Sequence, residues 1–282
     1  MIPLIRGQWM SLVVSLRIPD GMVIATDSLS TAKNILGIEF ENVDVTCPKC
    51  SYTLDRKSLP LPAMNLEIPF SGSSYTQKLI NLNGKFALSF FGNGVIGSRS
   101  IYYHIKQQQK AGAFENKSLS EVNGFLVNYF ENALLLDFPN YKEEAPDSWY
   151  PLGYHLNGYE NVENTDRAVT YEVHVGKKSN VNRIESIGCT IGGDMVVVQK
   201  LWELGHPSKD GTVHQIKYGL LSLQDAIDLS VFFIETTSKF QRFADQLQTV
   251  GGDIDVALIT PFHDFQWIRR KRLMEVIENG KK

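Results

Sequence analysis

Apolar positions open in two nearly continuous runs. Val13, Val14, Leu16 and Ile18 form the first, interrupted by Arg17, and Met22 to Ala25 form the second, with Pro19-Asp20-Gly21 between them. β-rich runs split by a Pro-Asp-Gly turn predict a hairpin. Because both runs are nearly continuously apolar, both faces of the sheet are expected to be covered. A second hairpin is predicted where Leu79–Leu82 and Phe86–Phe91 flank Asn83-Gly84. The period then changes. Ile101, Tyr102, His104 and Ile105 predict a helix ending before Gly112. Leu119, Val122, Leu126, Phe130 and Ala133 recur at helical spacing. Strands are expected over Trp149–Tyr159 and Ala168–Val175, and a helix over Asp194–Leu204. Ser222 and Asp225 form a capping box opening a helix to Phe240, and Ile254–Thr260 is a final buried strand. Between Asn34 and Ser74 the pattern is broken by Pro48, Pro60, Pro62 and Pro69, which predicts an insertion with its own short strands. Strands, two helices, strands, two helices and a strand together predict an α+β protein with helix pairs covering its sheets.

Composition narrows the function classes. The chain has 282 residues, 43% hydrophobic and 21% charged, with a net charge of −3. That is ordinary for a globular chain and carries no nucleic-acid footprint. The cluster Arg269-Arg270-Lys271-Arg272 is expected to be a solvated helix face. No apolar run approaches the length of a membrane span, and Met1–Trp9 lacks the core of a secretory signal, so the cytoplasm is the expected compartment. The three cysteines do not make a disulfide framework. Cys47-Pro48-Lys49-Cys50 is half a zinc knuckle with no second half, and the histidines form no metal-spaced pair, so no metal is predicted. Gly92-Asn93-Gly94-Val95-Ile96-Gly97 matches a dinucleotide fingerprint, but helices follow where a parallel strand with an acidic end is required. No cofactor is predicted.

Ser11 heads the first strand directly after Met10. A serine hydroxyl needs a base to become a nucleophile, and in an N-terminal serine its own α-amine can serve. The stretch from Ser11 to Thr31, SLVVSLRIPDGMVIATDSLST, resembles the opening of proteasome β subunits and bacterial HslV, members of the N-terminal-nucleophile hydrolases. There a nucleophilic threonine begins a strand and an aspartate closes the second one; here Ser11 and Asp27 keep that interval. KLINLNGKFALSFFGNG, from Lys78 to Gly94, resembles the family's next hairpin, with Lys78 and Gly92 at the family's interval. Gly158-Tyr159, the glycine-rich turn around Ile187-Gly188-Cys189 and Gly192-Gly193, and Gly251-Gly252-Asp253-Ile254-Asp255-Val256 resemble later motifs, so the likeness runs from Ser11 to Pro261.

The resemblance implies a four-layer αββα sandwich and hydrolysis of amide bonds, with peptides or proteins as the expected substrates. It implies Ser11 as nucleophile with its free α-amine as base, Lys78 and Asp27 setting the charge environment, and the Gly92 N–H as oxyanion donor. Residues 1–10 are then a propeptide or lie ahead of the true start. Self-association into homo-oligomeric rings and an ATP-dependent unfoldase partner are implied by the same likeness; no nucleic-acid or membrane partner is. The sequence departs from the family in Met10 ahead of the nucleophile, in serine for threonine, and in Leu247 and Val250 where many β subunits carry aspartate and serine, with Asp245 and Thr249 nearby but out of step. A non-catalytic structural subunit and a hydrolase of small amides remain alternatives.

Overall fold

A computed structural model describes residues 11–38, 49–51, 64–203, 215–245 and 247–271, with backbone alone over 32–38 and 64–71 and at 203. In chain order the strands are β1 (Leu12–Ile18), β2 (Gly21–Thr26), β3 (Ser30–Ile38), β4 (Met64–Ser73), β5 (Leu79–Leu82), β6 (Phe86–Gly92), β7 (Val95–Ile96) and β8 (Arg99–Ser100). Helices α1 (Ile101–Lys110), α2 (Leu119–Ala133) and α3 (Tyr141–Glu144) follow. Then come β9 (Leu152–Val162), β10 (Thr165–Val175), β11 (Asn180–Ile184), β12 (Gly188–Gly193), α4 (Val196–Glu203), α5 (Leu223–Gln241), β13 (Asp255–Ile259) and β14 (Gln266–Arg269). The chain divides into two compact units, Thr31–Gly72 and the remainder. β3, which begins at Ser30 ahead of the span predicted as an insertion, pairs with β4 as a two-stranded sheet.

The larger unit carries two five-stranded sheets, ordered β12-β1-β2-β13-β14 and β11-β10-β9-β6-β5. Every neighbouring pair in both is antiparallel. The fold is therefore mixed α and β with antiparallel sheets, the α+β class expected from the pattern. The continuous apolar runs have a plain cause. Leu12, Val14, Leu16 and Val23 pack with Val198 of α4 and Phe233 and Ile234 of α5. From the other face of the same strands, Met22 and Ile24 meet Leu79 and Ala87 of the second sheet. That second sheet turns Ile80, Leu88 and Leu156 toward Ile105 of α1 and Leu126 and Phe130 of α2. Every residue of β1 and β2 is buried.

The capping box expected at Ser222 with Asp225 opens α5, and a second one that the sequence reading did not name, Ser118 with Glu121, opens α2. Two expectations need correction. The glycine-rich stretch from Gly188 to Gly193 is a strand, β12, paired along its length with β1. Pairing with a buried neighbour outweighs the weak strand preference of glycine. The basic cluster is not a helix face. Arg269 ends β14, Lys271 is buried, and Arg272 lies outside the described residues. Cys47 and Leu204 also lie outside them, whereas Cys50 is exposed. Among the described residues no helix is long and apolar enough to cross a membrane.

Candidate active site

The antiparallel register of β1 and β2 sets Val13 opposite Thr26, so the residues just beyond each strand, Ser11 and Asp27, come together. Ser11 is 3% exposed and Asp27 is fully buried. The Asp27 N–H donates to the Leu12 carbonyl at 3.3 Å. In return the Leu12 N–H donates to Asp27 Oδ1 at 3.0 Å. Asp27 Oδ2 accepts from the N–H groups of Leu29 (3.1 Å) and Gly251 (3.0 Å). The Lys78 ammonium donates to the same Oδ1 at 2.8 Å, and to the Leu29 carbonyl. One carboxylate oxygen thus joins the peptide following Ser11 to a lysine delivered by the other sheet.

Lys78 is nearly sealed from water. Burial pushes its pKa down, because a desolvated ammonium is costly; Asp27 opposes that shift, and the charge of Lys271 adds to it. Lys271 belongs to a second buried pair next to the first. Its ammonium donates to Ser28 Oγ at 2.9 Å and to Asp255 Oδ2, while its own N–H donates to Asp255 Oδ1 at 2.8 Å. Asp255 stands opposite Thr26 across β2 and β13.

Gly92 ends β6 at the same end of its sheet as Lys78, since the Phe90 N–H donates to the Lys78 carbonyl at 3.1 Å. Its φ of +86° and the Pro151 carbonyl 2.5 Å from where a Cβ would stand admit only glycine. The preceding ring, Phe91, lies against Gly192 of β12 in the first sheet. Asp27 and Lys78 are thus in direct contact beside Ser11, and Gly92 shares that end without a side chain to make a contact of its own.

A further cluster was missed by reading the sequence. The Asp194 N–H donates to the Ser11 carbonyl at 2.7 Å. Gly193 permits this approach: its φ is +96°, and any Cβ there would fall 2.0 Å from that carbonyl oxygen. Asp194 Oδ2 accepts from Thr249 Oγ1 (2.7 Å) and Gln241 Nε2 (2.8 Å). Gln241 Oε1 in turn accepts from the N–H groups of Thr249 (3.0 Å) and Val250 (2.9 Å). Val250 is core, and Asp245 is exposed. Thr249 was visible in the sequence as a hydroxyl near the Gly-Gly pair. Its acid partner was not, because Asp194 reaches it from the far edge of the sheet.

No protein-family model matches this chain, and no curated protein matches it.

Proposed function

We propose that the protein is an N-terminal-nucleophile hydrolase that cleaves amide bonds through Ser11, on a four-layer αββα sandwich of the proteasome β/HslV type. The observation that carries this reading is the shared Asp27 Oδ1, which meets both the Leu12 N–H and the Lys78 ammonium. A buried cation held at the head of β1 favours the deprotonated nucleophile and lowers the pKa of an adjacent amine.

In this reading the Met10–Ser11 bond is cleaved first, which frees the Ser11 α-amine. The amine takes the hydroxyl proton as Ser11 Oγ attacks the substrate carbonyl. The oxyanion is held by the Gly92 N–H, a donor of a kind worth about 3 kcal/mol. Collapse expels the leaving amine with the proton returned to it, leaving an ester on Ser11. Water, losing a proton to the α-amine, then attacks the ester; the bond to Ser11 Oγ breaks, the carboxylic acid leaves, and the proton returns to Oγ. Asp194 and Thr249, beside the Ser11 carbonyl, supply acceptors for the α-ammonium. Peptide substrates, ring assembly and an unfoldase partner are extensions of the same proposal.

Intact mass of the purified protein is the first test: a chain starting at Ser11 is expected, and one retaining Met1 or Met10 removes the base and ends the mechanism. A serine-reactive covalent probe is expected to label Ser11, with Ser11→Ala abolishing the adduct. Mass by size exclusion then separates a ring from a monomer, the latter favouring a small-amide substrate.

A further inference from the structure

Lys106 of α1 and Arg270, just after β14, converge on one surface cleft of about 290 Å³ in the larger unit. The strand geometry explains how Arg270 arrives there. β14 pairs irregularly with β13: Trp267 stands opposite Ala257 and Arg269 opposite Val256, so Ile268 is an extra residue. Such a bulge shifts the alternation of faces by one. Trp267 and Arg270 therefore share a side, and the guanidinium lies 5.0 Å from the Trp267 ring centroid. From the opposite wall, Lys106 Nζ lies 5.7 Å from the Tyr102 ring centroid and donates to Gln109 Oε1 at 2.9 Å.

The cleft has an unbalanced charge. Among the described residues no acidic side chain lines it. Among the described residues neither Lys106 nor Arg270 has a carboxylate at ion-pair distance, although Lys178, Arg183 and Lys239 each do. Burial and the neighbouring Arg270 charge both push the Lys106 pKa down, as expected of two cations facing each other without a counter-ion.

We propose that this cleft binds a phosphate monoester, its oxygens bridging the Lys106 ammonium and the Arg270 guanidinium. A phosphate monoester carries close to two negative charges near neutrality and offers three strong acceptors, which matches two cations; a single carboxylate would neutralise only one. The guanidinium fork suits two phosphate oxygens at once, and the ammonium serves as a point charge from the other side. The volume leaves space beside the phosphate for a small organic group, with the Gln77 and Gln109 amides along the wall. None of these residues belongs to the Ser11 site, so the proposal stands or falls apart from the hydrolase reading.

The test is calorimetric titration of the full chain with inorganic phosphate, ionic strength held constant with sodium chloride. Saturable binding at one site is expected. Lys106→Gln and Arg270→Gln should each weaken it by about tenfold or more, the loss expected for a charge-assisted contact. Lys178→Gln, which removes a distant surface charge, should leave it unchanged. Circular dichroism is expected to show all three variants folded, since each side chain is at least partly exposed. Glycerol 3-phosphate and a phosphoserine peptide, run in parallel, distinguish a free small molecule from a phosphorylated chain by which gains affinity over inorganic phosphate. Absence of saturable binding, or equal affinity in wild type and both cleft variants, or an equal loss in Lys178→Gln, overturns the proposal.

Discussion

Lys78 and Arg17 are buried to the same degree, 2% exposed each, yet they are accommodated in opposite ways. Lys78 sits on a carboxylate, Asp27, that also receives three backbone N–H groups. Arg17 bonds to neutral acceptors, the Ser186 carbonyl (2.8 Å) and Thr170 Oγ1 (2.7 Å), and Thr170 passes its own proton to Asn157 Oδ1 at 2.8 Å. The difference follows from the two side chains. A guanidinium stays charged in a protein interior and needs its donors satisfied, whereas a buried ammonium readily sheds its proton unless an anion holds it. Lys78 is therefore held as a cation by its carboxylate, whereas Arg17 keeps its charge on neutral acceptors alone. Beside Arg17 lies His155, fully buried, with Nδ1 3.0 Å from Ser15 Oγ, its pKa lowered by burial to about 3. Under the proposed function, this inter-sheet region is scaffold and the end of the sheets around Ser11 the reactive part.

The contrast is broken most directly at Asp27. Asp27→Ala strands the Lys78 ammonium and three N–H groups, and should cost about 3–5 kcal/mol in urea unfolding, the range for breaking a buried pair. Labelling of Ser11 should vanish with it. Lys78→Met should cost less, about 1–3 kcal/mol, because Asp27 keeps its backbone donors. It should still abolish labelling. A stability loss equal to that of Asp27→Ala would mean that the lysine, not the carboxylate, organises the site. His155 gives a pH-dependent signature of the scaffold. Its folded pKa of about 3 lies below the ordinary 6.5, so between these values the unfolded chain binds a proton that the folded one refuses. Stability should fall as pH drops through that window, by up to about 1.4 kcal/mol per unit, and His155→Asn should flatten this slope. The smallest effect on labelling is expected at Arg17. Arg17→Met should lower stability by about 1.5–3 kcal/mol, the scale of a lost hydrogen bond to a charged group, and leave the rate of Ser11 labelling unchanged. A large fall in labelling would show that the two regions are coupled.

Much of the secondary structure was legible because it is written in local spacing. The hairpin about Pro19-Asp20-Gly21, the turn at Asn83-Gly84, the amphipathic face of α2 and the capping box at Ser222 each depend on residues within a few positions of one another. Legibility failed where pairing overrode local preference. β12 is poor strand material by composition and exists because β1 offers it a buried edge. The basic run after Trp267 looked solvated because its partner, Asp255, lies on a separate strand.

The sequence by itself determined that β1 and β2 form a hairpin covered on both faces, and it singled out Ser11, Asp27, Lys78 and Gly92 as residues to watch. Only the tertiary structure decided which charges touch: that Asp27 holds Lys78, that Lys271 turns inward to Asp255, and that Asp194 and Thr249 meet beside Ser11. The reason is range. Periodicity and capping act within a turn or two of chain, while an ion pair between strands requires the order and register of whole sheets, and a slip of one residue would turn every such side chain to the opposite face.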